Sequence, residues 1–257
     1  MFADGTVLVG KSKEKLERLV KVFGDVYKRR KLTVNVNKSK VMKIGKNEVN
    51  EMNIELNARR MEEVTSYRYL GVDISSDSRM NEEVRHRIGE ARKSAGALKD
   101  LWRKRHVLRE AKVGMYEGIV EPSLLYGCEA WAMNVHERKR VEAVEMNCLR
   151  SICGVRRIDR IPNAELRRRC GKKVSVGERM DQGVMRWFGH VERMGDDRLV
   201  KRVYDSEVRG VRRRGRPRKG WMDGLKETLE RRGLNIQEAR DCVQDRSEWR
   251  RVCRRGH

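Results

Sequence analysis

The sequence predicts an α+β protein: a small β-hairpin-containing part, then a mostly α-helical region, then a basic helical tail. Three observations carry that prediction. Apolar and polar residues alternate only before about Ser75, the pattern of half-buried strands. From Met80 onward the apolar residues recur at helical spacing instead. Lysine and arginine number 61 against 38 acidic residues, a net charge of +23, with dense basic runs late in the chain. These shifts place boundaries at 1–78, 79–158 and 159–257.

Taken in order, Leu16, Leu19, Val20, Phe23, Val26 and Tyr27 form one apolar helical stripe, with Ser12 placed to cap its start. Leu32, Val34 and Val36 alternate with polar residues and predict a strand. Met52, Ile54 and Leu56, a polar turn over 57–59, and a second run from Met61 to Ile74 predict a hairpin region. Met80, Val84, Ile88, Ala91, Ala95, Leu98 and Trp102 then mark a long amphipathic helix. A further helix is expected over Val113 to Val120, ending near Pro122. Two more follow, one through Val141, Val144, Cys148 and Ile152, the other through Met180, Val184, Trp187 and Val191.

Hydrophobic residues make up 38% of the chain, enough for packed cores, so disorder throughout is not the favoured reading. A charge of +23 calls for a polyanionic partner, and nucleic acid fits best. No stretch approaches the roughly 20 apolar residues of a spanning helix, and no secretory signal is visible. The expected location is therefore intracellular, nuclear or cytoplasmic, and not secreted. None of the six cysteines forms a Cys-x-x-Cys pair, so they read as reduced and mostly buried. An irregular metal site using Cys148 and Cys153 is the alternative. The scattered histidines sit beside no plausible nucleophile, which argues against a hydrolase triad.

Five blocks carry a resemblance. Phe2-Ala3-Asp4-Gly5 is followed by the apolar run Thr6-Val7-Leu8-Val9. Leu32 to Lys40 contains Asn35-Val36-Asn37-Lys38-Ser39-Lys40, and Tyr67-Arg68-Tyr69-Leu70-Gly71-Val72 comes next. Pro122 to Trp131 reads Pro-Ser-Leu-Leu-Tyr-Gly-Cys-Glu-Ala-Trp. The last block pairs Met185 to Met194 with Gly215 to Trp221. In this order they resemble the C-terminal portion of a non-LTR (LINE-type) retrotransposon reverse transcriptase: palm end, thumb and tail. The first block resembles the catalytic Phe/Tyr-Ala-Asp-Asp hairpin with its second aspartate replaced by Gly5.

The resemblance implies RNA-directed DNA synthesis with magnesium, Asp4 as a surviving metal carboxylate, and Lys38 as a proton donor to the leaving pyrophosphate. It makes Tyr69, Leu70 and Gly71 part of a hairpin that grips the primer end. Two-ion phosphoryl transfer needs carboxylates that clamp the attacking and leaving oxygens, and Gly5 cannot ligate a metal. Asp25 falls on the following helix and does not restore the count. The family's first catalytic aspartate and fingers belong upstream of Met1, so the chain reads as a truncated frame without polymerase activity of its own. Its expected partner is nucleic acid: RNA, DNA or an RNA–DNA hybrid.

Sequence-tolerant binding of such a duplex uses lysine and arginine on its phosphates. The best placed are Arg167, Arg168, Arg169, Lys172 and Lys173, and the run containing Arg213, Arg214, Gly215, Arg216, Arg218 and Lys219. The second run holds Arg-Gly-Arg-Pro, which resembles the core of an AT-hook: Gly215 permits close approach to a groove floor, and Pro217 keeps Arg216 extended. Each block also has a plain structural reading. Asn and Lys after a strand make a solvated turn, Trp131, Trp187, Trp221 and Trp249 pack a core, and basic runs form solvated faces or linkers.

Overall fold

The computed structural model describes residues 5–45, 52–206 and 219–254. It is α+β and mostly helical, and it divides into two compact units, Met1–Glu83 and Val84–His257.

The first unit opens with α1 (Lys13–Arg29), capped as predicted: Ser12 Oγ accepts the Lys15 N–H at 3.4 Å. Its apolar stripe packs on short strands. β1 (Lys40–Val41) runs parallel to β4 (Glu62–Glu63), and β2 (Glu55–Leu56) pairs antiparallel with β3 (Arg59–Arg60). β5 (Ser66–Tyr69) and β6 (Val72–Ser75) form a second hairpin, after which no strand occurs among the described residues. Val20, Val41, Ile54, Leu56 and Met61 make the core. Helix α1 comes close to β2 at Gly24, where a Cβ would meet Leu56 Cδ1 at 3.2 Å.

Both hairpins turn through two residues with positive φ: Asn57 and Ala58 at 54° and 58°, Leu70 and Gly71 at 49° and 81°. That geometry matches the twist of the flanking strands. Leu70 adopts it with a full side chain and is strained.

The strand expected over Leu32, Val34 and Val36 does not form. Asn35 diverts the backbone: its side chain accepts the Lys38 N–H at 3.2 Å, and its carbonyl accepts the Ser39 N–H at 3.1 Å. The result is a 3-10 turn over Val36–Lys38, an instance of local polar bonding outcompeting a ladder.

The second unit is helical. Helix α2 (Asn81–Arg103) matches the long amphipathic prediction, with Val84, Ile88, Ala91 and Trp102 buried. The unit boundary falls inside its first turn. Next come α3 (Arg109–Met115), a π-helical turn (Tyr116–Val120) and α4 (Glu121–Leu125). The helical course therefore passes through Pro122 instead of ending there. In the wide turn the Glu121 N–H already reaches back to Tyr116 O, and Pro122 occupies a first-turn position that needs no N–H.

Helix α5 (Val135–Cys153) buries Val141, Val144, Cys148 and Ile152 as expected. It starts with a reciprocal cap: Asn134 Oδ1 accepts the Glu137 N–H, and Glu137 Oε2 accepts the Asn134 N–H, both at 2.9 Å. Helices α6 (Asn163–Arg169), α7 (Val176–Glu192), α8 (Leu199–Tyr204), α9 (Trp221–Glu230), α10 (Ile236–Val243) and α11 (Arg246–Arg254) complete the unit. On α7 the buried stripe is Met180, Met185, Phe188 and Val191, one step round from the face expected through Val184 and Trp187. Met185 and Phe188 join Leu225, Leu229, Val243 and Trp249 in one core.

Candidate nucleic-acid interface

In the first unit, hydrogen bonds bring together the three N-terminal blocks. Tyr67 and Tyr69 lie two residues apart on β5, on one face of the strand. The Tyr67 hydroxyl donates to Lys38 O at 3.4 Å, and the Tyr69 hydroxyl donates to Gly5 O at 3.3 Å. The Lys38 side chain is exposed. Leu70 and Gly71 cap the hairpin at this spot, and Leu70 Cδ2 would lie 3.5 Å from a Cβ on Gly5, an ordinary contact. Arg68 pairs with Asp73 in a two-point contact of 2.8 and 3.1 Å that stiffens the same hairpin.

Asp4 lies outside the described residues, and Gly5 has no side chain to offer a metal. Among the described residues no group of three or more His, Cys, Asp or Glu could hold an ion. Cys148 and Cys153 form no metal site there, and Cys153 Sγ instead lies 3.4 Å from Cys170 Sγ. None of the six cysteines is in a disulfide, and four of them are buried.

The C-terminal blocks also converge, through tryptophans that pack and bond. Trp131 and Trp249 are 5% and 2% exposed, so neither offers a face to a base. Trp221 Nε1 donates to Glu129 O at 2.7 Å, tying the Gly215–Trp221 block to the Pro122–Trp131 block. Trp249 Nε1 donates to Met185 O at 3.1 Å, tying α11 to the block that begins at Met185. Trp187 is half-buried beside His190, with ring centroids 5.6 Å apart.

The basic cluster over 167–173 is largely engaged with carboxylates. Lys172 has a fully buried side chain whose Nζ bonds Glu121 at 2.6 Å and Glu117 at 3.1 Å, so it faces the interior and not a phosphate. Arg167 bonds the fully buried Glu145 at 2.8 Å. Burial raises the Glu145 carboxyl, and Arg167 and Lys172 work against that rise. Arg168 and Arg169 both bond Glu165 and hold its carboxyl down at about 2. Among the described residues, Lys173 alone in the cluster is exposed without an ion pair. Dense charge in sequence is thus largely paired, because α6 presents its arginines to acids on itself and on α5, with Arg168 and Arg169 still at the surface.

Of the late basic run, Arg213, Arg214, Gly215, Arg216 and Arg218 lie outside the described residues. Lys219 is described, and its Nζ bonds Glu227 at 2.6 Å.

An uncompensated basic surface lies where the sequence drew no attention. On α11, Arg246, Arg250 and Arg254 recur every fourth residue on the exposed face, while Trp249, Val252 and Cys253 fill the buried one. None of the three has an ion pair among the described residues. Arg193 sits beside them, and its guanidinium is pushed down, first by burial and then by Arg246 and Arg250. The spacing of four was legible as one helical face, but its charge density is lower than that of the runs at 167–173 and 213–219. No helix among the described residues is long and apolar enough to cross a membrane.

No protein-family model matches the sequence, and no solved structure matches it. The chain is 24% identical over 275 residues to an uncharacterized transposon-derived protein of Caenorhabditis elegans. That alignment spans 99% of this chain and 94% of the worm protein, so the likeness to a transposon-derived protein runs nearly end to end.

Proposed function

We propose that this chain is a transposon-derived nucleic-acid-binding protein, built on the palm end, thumb and tail of a non-LTR retrotransposon reverse transcriptase and catalytically silent. The observation that carries the reading is the end-to-end likeness to a transposon-derived protein in a chain of net charge +23. The meeting of the three N-terminal blocks through Tyr67 and Tyr69 supports it, since a primer-gripping hairpin belongs beside the catalytic turn. Binding is through phosphates and tolerant of sequence, with the α11 arginines as principal contacts. Polymerization fails for want of carboxylates, because Gly5 stands where the second aspartate belongs.

The purified protein is expected to extend no primer on an RNA template with magnesium or manganese, yet to bind an RNA–DNA hybrid at least as well as duplex DNA. Extension above background that Asp4→Ala abolishes would overturn the silence. Failure to bind either duplex would overturn the binding.

A further inference from the structure

Resting on the nucleic-acid-binding reading, we infer that the connection between α5 and α6, residues 154–162, is a duplex-deforming wedge, with Ile158 entering the base stack while Arg156, Arg157 and Arg160 hold the flanking phosphates. Single exposed apolar residues are common and mean nothing alone. Ile158 differs in its setting. It is 81% exposed at the tip of a 3-10 turn, Arg157–Asp159, with the exposed Arg156 and Arg160 on either side.

None of the three arginines has an ion pair among the described residues, in contrast to Arg167, Arg168 and Arg169 a few positions on. The one acid in the connection, Asp159, accepts the Arg156 N–H at 2.6 Å and so builds the turn instead of neutralising a guanidinium.

The tip is also stiff, as a wedge must be. Asp159 N donates to Arg156 O and Arg160 N to Arg157 O, both at 3.2 Å. Arg160 is held at φ 51°, a left-handed conformation that a side chain resists. At the base, Arg150 Nη2 bonds Asn163 Oδ1 at 3.0 Å across the two helices, and Ile152 and Leu166 are buried below.

Proteins that kink duplexes insert isoleucine, leucine or methionine between base steps in this way, and arginines beside the wedge recover the unstacking cost through phosphate contacts. The same arginines would repel a basic partner and attract an acidic one. An acidic protein would use the arginines, but it has no base step for Ile158.

The test uses the whole chain and two duplexes of the same sequence, one carrying a fluorescent adenine analogue and one end-labelled for energy transfer. The wild type is expected to raise the analogue's fluorescence and shorten the end-to-end distance. Ile158→Ala is expected to lose both signals and weaken binding by roughly tenfold with an unchanged salt dependence. Arg156→Gln, Arg157→Gln and Arg160→Gln together are expected to flatten the log–log salt dependence by up to about 2.7, at about 0.9 per phosphate contact. Because Ile158 is exposed, its truncation leaves the fold intact, which circular dichroism checks. If the wild type binds but Ile158→Ala gives the same fluorescence and bend, the wedge is wrong and the binding reading stands. If the chain binds no duplex, both fall.

Discussion

Replacing Gly189 with alanine sets two effects of opposite sign against each other. Gly189 lies inside α7, and glycine in a helix interior costs about 1 kcal/mol relative to alanine. Propensity alone therefore makes the substitution stabilising. The surroundings reverse the sign. A Cβ on Gly189 would stand 2.2 Å from Trp249 Nε1 and 2.6 Å from Cδ1 of the same ring. Trp249 has little room to withdraw: it is 2% exposed, meets Phe188 edge-on at 5.7 Å, and donates its indole N–H to Met185 O. Making room shifts α11 against α7, at about 1–3 kcal/mol for overpacking. Losing the indole bond leaves a buried donor, at about another 1–3 kcal/mol. With the helix gain subtracted, the net loss is about 1–5 kcal/mol, centred near 3. At about 2–4 °C per kcal/mol for a unit of this size, the midpoint falls by roughly 6–12 °C.

Denaturant and thermal unfolding followed by circular dichroism and tryptophan fluorescence measure this directly. Gly96→Ala on α2 is the control, since nothing lies within 4 Å of a Cβ there, and it should gain up to about 1 kcal/mol. If Gly189→Ala gains stability as Gly96→Ala does, the packing of Trp249 against α7 is wrong.

Other outcomes follow from the buried charges and thiols. Asp181 is 4% exposed and bonds Arg138 through both oxygens, at 2.7 and 2.8 Å, and Arg231 at 2.9 Å. Burial raises its carboxyl, but the two arginines outweigh burial and hold it below the ordinary aspartate value of 3.8. A depressed value means the stabilisation is present above about pH 4 and is lost as pH falls below it. Asp181→Ala should cost about 3–5 kcal/mol at neutral pH and much less in acid; a loss that does not shrink on acidification in unfolding titrations would contradict this. Burial pushes the Cys128, Cys148 and Cys170 thiols up to about 12 and Cys253 to about 11. Alkylation at pH 8 should accordingly be slow until the chain unfolds, and rapid native labelling of these four, read by mass spectrometry, would refute it. A peptide spanning Val208 to Trp221 should prefer A·T-rich over G·C-rich duplex at equal salt and lose that preference on Arg214→Ala and Arg216→Ala. Equal affinity for both duplexes leaves only a basic linker.

Periodicity served well wherever one helical face had to be buried. The Ser12 cap, the stripe of α2 and the stripe of α5 were all legible, because burial imposes a spacing that no other local effect imitates. It failed where a polar side chain could bond its own backbone, as at Asn35, and where a π turn prepared the ladder for Pro122. The candidate surface was harder. Composition located the charge but not its partners: Lys172 and Arg167 meet acids distant in sequence, Glu121 and Glu145, whereas Arg246, Arg250 and Arg254 on α11 meet none among the described residues. Gly189 belonged to a block that stood out in the sequence, yet its reason lies in Trp249, far along the chain.

Exposed arginine that binds nucleic acid through phosphates makes affinity fall steeply with salt. The full chain is titrated onto a fluorescent RNA–DNA hybrid and onto duplex DNA of the same sequence, from low to physiological salt. On the DNA, log affinity is expected to fall linearly with log salt at about 0.9 per phosphate neutralised. Arg246→Gln, Arg250→Gln and Arg254→Gln together should flatten that line by up to about 2.7. A line that is flat over the range, or a steep one that the triple substitution leaves untouched, would contradict the assignment of this surface.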